Sequence, residues 1–174
     1  MICPRCGRDN VPGDEQCAYC QLDLAPLDQP APQDRVQSNL MERTVGDLKP
    51  RAPVILSQSA TIAEAVAAMV REEVGTVLVV NDAGRLCGIF TERDLLQRVP
   101  DADARRGHRP IADFMTPDPE TVAPDDTLAL ALQRMDVGGY RHLPVSVDGA
   151  PIGILSVRDM VRHIAALCRD GDGH

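Results

Sequence analysis

The stretch Gly88-Ile89-Phe90-Thr91-Glu92-Arg93-Asp94 returns as Gly153-Ile154-Leu155-Ser156-Val157-Arg158-Asp159, 65 residues further along the chain. Each copy runs from a glycine to a hydroxyl and then, three positions later, to an acid. A segment repeated at this length marks one supersecondary unit used twice. Two such units that bury a shared face leave symmetry-related clefts between them. Taken alone, Thr91-x-x-Asp94 and Ser156-x-x-Asp159 read as helix starts, with a hydroxyl at the N-cap and an acid where the helix dipole favours negative charge. Gly88 and Gly153 add a second reading, because a missing side chain lets a ligand approach the backbone closely.

The repeat extends upstream. Thr61 to Met69 lines up with Thr127 to Met135 at an offset of 66. Ile62, Ala65, Val66, Met69 and Val70 have the spacing of a helix that buries one stripe, and Leu128, Ala131, Leu132 and Met135 repeat it. Thr61 and Glu64 form a capping box, of which Thr127 keeps only the hydroxyl half. One residue has been dropped from the second copy, which the alignment places between Met135 and the next strand. Val77-Leu78-Val79-Val80 then stands opposite His142-Leu143-Pro144-Val145. Each helix is followed by a hairpin signal, with Asn81-Asp82-Ala83-Gly84 or Asp148-Gly149 as the turn. Pro53-Val54-Ile55-Leu56 and Thr121-Val122-Ala123 suit a strand before each helix. Each unit is therefore predicted as strand, helix, strand, strand, helix, with closing helices over 91–99 and 156–167.

Phe114-Met115-Thr116-Pro117, Arg141-His142-Leu143-Pro144-Val145 and the doubled Gly-x-x-Thr/Ser-x-x-Asp segment together resemble a tandem pair of cystathionine-β-synthase (CBS) domains, a Bateman module, over roughly Thr44 to Cys168. The resemblance implies an α/β (α+β) fold of two β-α-β-β-α repeats packed with pseudo-two-fold symmetry. It implies an adenine nucleotide or related adenosine compound (AMP, ADP, ATP or S-adenosylmethionine) as regulatory ligand. Asp94 and Asp159 would then accept hydrogen bonds from ribose hydroxyls, with Thr91 and Ser156 near phosphate. Ile55 and Leu56, and Thr121 and Val122, would wall the adenine. Arg141 and His142 are candidate phosphate contacts, as are Arg93 and Arg158. The chemistry fits, since a carboxylate offers two oxygens to a cis-diol and a helix N-terminus offers free N–H groups to an anion. The first unit lacks the basic pair, so the cleft with Arg141 and His142 is the expected phosphate site. The resemblance also implies a disc-like homodimer.

Cys3, Cys6, Cys17 and Cys20 have the spacing C-x2-C-x10-C-x2-C, which suits two knuckles presenting four thiolates to one Zn²⁺. Two disulfides are the rival. No signal-peptide core follows Met1, and in a reducing compartment paired cysteines more often hold metal. Four thiolates make a closed, structural site. A ribbon of this size cannot bury a core of its own, so the metal would supply its folding energy. Gln21 stands in the second knuckle where glycine is common.

The net charge of −8 and the pI near 4.9 speak against a broad nucleic-acid or membrane surface. No apolar run approaches the ~20 residues needed to cross a bilayer, and the expected location is the cytoplasm. The predicted organisation is a zinc ribbon over 1–24, a proline-rich linker over 25–43, CBS repeats over 44–100 and 111–168 joined by a solvated loop over 101–110, and a tail over 169–174. His108, His142, His163 and His174 have neither triad nor metal-ligand spacing, and no phosphate-cradling glycine loop appears, so no enzymatic activity is expected. Two functions remain: a sensor of an adenosine-containing ligand that signals to a protein partner through the ribbon, or a ligand-free dimerising platform carrying a zinc-ribbon adaptor.

Overall fold

The computed structural model describes residues 3, 5–11, 15–22, 35–99 and 106–171. Pro4, most of the expected linker, Arg105 and the last three residues lie outside them. The chain divides into two compact units, Met1–Arg35 and Val36–His174. In the smaller one, Cys3 and Cys17 are buried and Cys20 and Leu22 pack on them.

The larger unit opens with α1 (Arg35–Glu42), a helix where a linker was expected, and a 3-10 turn (Val45–Leu48). The first repeat supplies β1 (Ile55–Ser57), α2 (Ile62–Arg71), β2 (Thr76–Val80), β3 (Leu86–Thr91) and α3 (Glu92–Arg98). After 3-10 turns at Arg106–His108 and Ile111–Asp113 come β4 (Thr116–Pro117), α4 (Leu128–Gly138), β5 (His142–Val147), β6 (Ala150–Ser156) and α5 (Val157–Gly171). The first sheet has the order β1-β2-β3-β4, with β1 parallel to β2 and the other pairs antiparallel. The second is the β5-β6 hairpin, to which Val122 adds only an isolated parallel bridge at Val145. The strand expected over 121–123 is thus reduced to one residue. Helix α5 continues to Gly171, into the expected tail.

Helix α2 starts at a capping box in which Thr61 and Glu64 satisfy one another's backbone N–H groups. It buries Ile62, Ala65, Ala68 and Met69, but Val70 is 73% exposed. Ala68 rather than Val70 completes the stripe, because successive residues turn through about 100° and Val70 falls past its edge. Helix α4 buries Leu128, Ala131 and Met135, with Leu132 packed beside them.

Strand register relocates the dropped residue. Thr76 pairs with Thr91 and Val79 with Gly88, just as His142 pairs with Ser156 and Val145 with Gly153. The deletion therefore lies in the hairpin turn, after the strand and not before it. The second turn is a two-residue connection in which Asp148 (φ 50°) and Gly149 (φ 80°) both have positive φ, the tight form that matches strand twist. The corrected equivalences put His142 opposite Thr76, and Arg141 opposite Gly75.

The repeats are interlocked. Val45, ahead of β1 in the chain, is fully buried among Val122, Leu128, Leu143 and Leu155 of the second repeat. Ile111 and Phe114, ahead of β4 in the chain, complete the first core with Val77, Val79 and Phe90. The hydrogen bonds mirror each other. Val45 N donates to Asp126 O (2.8 Å) and Leu128 N to Arg43 O (2.9 Å), while Ile111 N donates to Ala60 O (2.7 Å) and Ile62 N to Arg109 O (3.0 Å). Arg51 bridges Ile154 as Thr116 bridges Ile89. Each repeat is thus closed by the segment that leads into the other.

Candidate functional site

Both repeated segments end a strand and begin a helix. Thr91 caps α3: its Oγ1 accepts from Asp94 N (3.4 Å), and Asp94 Oδ2 accepts from Thr91 N (2.9 Å) and Thr91 Oγ1 (2.7 Å). Ser156 and Asp159 repeat this at 3.3, 2.9 and 2.6 Å. One oxygen of each carboxylate therefore serves its own helix start, where it satisfies an otherwise orphaned N–H.

The second oxygens are held differently. Asp94 Oδ1 lies 3.4 Å from Arg98 Nε, and Arg98 is itself fixed by donating to the carbonyls of Phe114 (3.1 Å) and Met115 (2.9 Å). Asp159 Oδ1 lies 3.3 Å from Arg162 Nη1, whose side chain is 77% exposed. An ion pair to a solvated arginine is worth little, so Asp159 is the acid freer to turn to a ligand. The glycines are covered. A Cβ on Gly88 would stand 2.1 Å from Met115 Sδ, and one on Gly153 2.9 Å from Pro50 Cβ. Their missing side chains make room for neighbouring residues of the protein, which corrects the expectation of open backbone for a ligand.

The expected adenine walls divide between the two faces of their segments, β1 and the Val122 bridge. Leu56 packs against the first core, and Val122, 1% exposed, belongs to the second. Only Ile55, 43% exposed, and the half-buried Thr121 present side chains to the opposite face. The N–H of Val122 donates to Pro144 O and its carbonyl accepts from Ser146 N, so its backbone is engaged as well.

Arg141, Arg93 and Arg158 are exposed, while His142 is half-buried. Burial, and then the Arg141 guanidinium, hold His142 below its ordinary value despite the opposing pull of Asp159 and Glu92. At neutral pH it is an uncharged hydrogen-bonding group beside charged arginines. Glu92 is the residue that sequence reasoning missed. Its carboxylate reaches within 3.0 Å of where a Cβ on Gly75 would stand, and it influences His142 in the other repeat. Its signal in the sequence was the contrast with Val157 at the matching position.

Two surface clefts lie at matching places in the repeats. One, of about 250 Å³, is lined by Arg51, Ala52, Val54, Glu72, Glu73 and Val74, and the other, of about 280 Å³, by Glu120, Gln133, Arg134, Val137, Gly138 and Tyr140. In the second, Arg134 pairs with Glu120 (3.4 Å) and also donates to Thr121 O.

The four amino-terminal cysteines form a separate centre. Cys3 N donates to Arg8 O and Gly7 N to Cys3 O, and Cys17 N to Leu22 O and Gln21 N to Cys17 O, so the two knuckles are folded alike. Both need a left-handed residue at the same place, Gly7 (φ 70°) and Gln21 (φ 56°). The sulfurs lie within 4.8 Å of one another, with Cys3 to Cys20 and Cys6 to Cys17 both 3.6 Å. A disulfide requires about 2.05 Å, whereas sulfurs ~2.3 Å from a shared tetrahedral ion stand about 3.8 Å apart. All four thiols are free. Backbone N–H groups, that of Tyr19 foremost, bring the Cys17 thiol down to about 6. The N–H of Leu22 favours the Cys20 thiolate, but burial and the other three sulfurs push it up to about 12. Four crowded sulfurs cannot all ionise without a cation among them, and the donor set fits one metal ion.

Comparison with known proteins agrees with this architecture. A family model of the CBS domain matches residues 45–101 and again 111–166. An uncharacterised 17.7 kDa protein of Acidianus ambivalens is 34% identical over 109 residues, 62% of this chain and 65% of that one. The CBS domain-containing protein CBSCBSPB5 of Arabidopsis thaliana is 34% identical over 116 residues, 67% of this chain but 21% of its own length, so the chain spans less than two thirds of either relative. Among solved structures, the CBS-domain protein ATU1752 of Agrobacterium tumefaciens superposes with a TM-score of 0.63 at 31% identity, covering 70% of this chain and 98% of that one. PAE2072 of Pyrobaculum aerophilum, solved in complex with AMP, gives a TM-score of 0.61 at 27% identity over 71% of this chain and 99% of that one. With two matched copies over most of its length and the fold to go with them, the chain belongs to the CBS domain family as a tandem pair.

Proposed function

We propose that the chain is a regulatory sensor: an adenosine-containing ligand occupies the clefts of the CBS pair and alters how the protein meets a partner, with no catalytic step. The observation that carries this reading is the doubled Thr/Ser–Asp helix start, whose two acids each keep one oxygen off the cap. Asp94 and Asp159 take the ribose diol, and Thr91 and Ser156 lie by the ligand's phosphate. Ile55 and Leu56 of β1, with Thr121 and Val122 at the matching place, form the segments beside the base. Arg141 and His142 favour phosphate at the second repeat. The AMP complex of PAE2072 supports the ligand class. Cys3, Cys6, Cys17 and Cys20 hold a structural Zn²⁺ that stabilises the ribbon as the adaptor for a protein partner, and the pair works as a cytoplasmic homodimer.

A ligand shifts such an equilibrium only by its difference in affinity between two states, typically ~1–3 kcal/mol. Calorimetric titration with AMP, ADP, ATP and S-adenosylmethionine tests the reading. Saturable heat from at least one is expected, and none from any would count decisively against it.

One observation favours the rival platform reading. Both acids are turned onto their own amides, and the space over Gly88 and Gly153 is filled by Met115 and Pro50. A thermal-shift screen separates the two, because a ligand at about 100 times its Kd adds ~2.7 kcal/mol of stability and a platform shows no such gain.

A further inference from the structure

Where the second repeat carries Arg141 and His142, the register puts Gly75 and Thr76 in the first. Thr76 is 5% exposed, and its Oγ1 is the only buried side-chain nitrogen or oxygen among the described residues that lacks a hydrogen-bond partner. Burying a hydroxyl without a partner destabilises the fold, and valine would fill the same volume without that penalty. Thr76 begins β2 directly opposite Thr91, the cap residue of the repeated segment. Val77 and Val79 point into the first core, so Thr76 alternates onto the other face, as His142 does beside Leu143 and Val145.

The surroundings of Thr76 are acidic. The Glu92 carboxylate lies over Gly75, Asp94 follows in the same helix start, and Glu72 and Glu73 outnumber the single Arg51 in the lining of this repeat's cleft. At the matching positions the second repeat has Val157, Gly138 and Gly139 in place of the three glutamates. A phosphate brought to the first repeat would meet carboxylates, and like charges at close range repel.

We propose that Thr76 Oγ1 is the ligand-bonding group of the first repeat, and that this end takes an uncharged or cationic polar part of an adenosine compound while phosphate goes to the Arg141 and His142 end. The inference rests on the adenosine-binding reading above and adds a residue and a charge preference to it.

The test titrates the full chain and its Thr76→Val and Thr76→Ser variants with adenosine and with AMP, beside melting curves without ligand. Thr76→Val should weaken adenosine binding by ~2–10-fold, the worth of one hydrogen bond, while Thr76→Ser stays near wild type and AMP changes less than twofold. Without ligand, Thr76→Val should melt about 2–4 °C higher, since it removes an unsatisfied hydroxyl. Unchanged adenosine binding in Thr76→Val, an equal loss for AMP, or a lower melting temperature each overturns the inference. Absence of heat from the wild type with adenosine also overturns the inference, whereas absence with AMP, ADP, ATP and S-adenosylmethionine alike would overturn the adenosine reading, and this inference with it.

Discussion

Replacing Ile111 by alanine tests the interlocking of the repeats, because Ile111 opens the second repeat in the chain yet is fully buried in the first core. The substitution removes three carbons. At ~0.8 kcal/mol per buried carbon the transfer loss is about 2.4 kcal/mol, and the cavity left behind brings the total to about 3–4 kcal/mol. For a domain of this size each kcal/mol lowers the melting temperature by roughly 2–4 °C, so a fall of about 6–16 °C is expected. The same turn positions Phe114 and Met115, whose carbonyls hold Arg98 on Asp94, so Ile111→Ala should also loosen that carboxylate. Urea denaturation followed by circular dichroism gives the free energy, with Val70→Ala as control. Val70 is 73% exposed, and its truncation should change stability by less than about 0.5 kcal/mol. A loss below about 1 kcal/mol for Ile111→Ala would refute the claim that this segment closes the first repeat.

The remaining expectations concern the sites. Purified full chain should contain one zinc per molecule, and Cys17→Ser should lower that content while leaving the melting of the CBS pair within about 1 °C; undiminished zinc would remove the four-cysteine centre from consideration. Asp159→Asn should weaken AMP binding more than Asp94→Asn, since a fixed Arg98 anchors Asp94 while the arginine paired with Asp159 is solvated; equal losses in titration would contradict that ranking. His142 is held below its ordinary 6.5, so the unfolded chain takes up the proton first. The stability linked to it is full above 6.5 and declines as pH falls below that value. A nearby phosphate favours the imidazolium, so AMP affinity should rise between about pH 8 and pH 6 while adenosine affinity stays flat, and parallel profiles would place His142 away from phosphate.

Much of this was legible because the repeat is written in residue types with fixed physical roles. Thr61 and Glu64 announced the start of α2, and Thr91 and Asp94 that of α3, through hydrogen bonds that involve only neighbouring residues. The C-x2-C spacing identified the cysteine centre for the same reason. Errors arose where longer-range partners decide. Val70 lost its place to Ala68, since burial depends on what faces the helix. The dropped residue was misplaced, because Asp148 and Gly149 shorten a turn whose length is fixed by strand pairing. Nothing local in Val45 or Ile111 shows that each serves the core of the other repeat. Gly88 and Gly153 pointed to a close approach, and sequence alone could not say that Met115 and Pro50 make it.

The exchange of closing segments also governs the order of events during synthesis. The first repeat lacks Ile111 and Phe114 until the chain has grown well past Thr91, so its nascent form must wait, partly open, on the ribosome. The second then closes on Val45, made 110 residues before Leu155 of the same core (155 − 45). A cut within 101–110 would yield halves that each expose a vacant seat and carry the plug for the other, so the two pieces are complementary to one another.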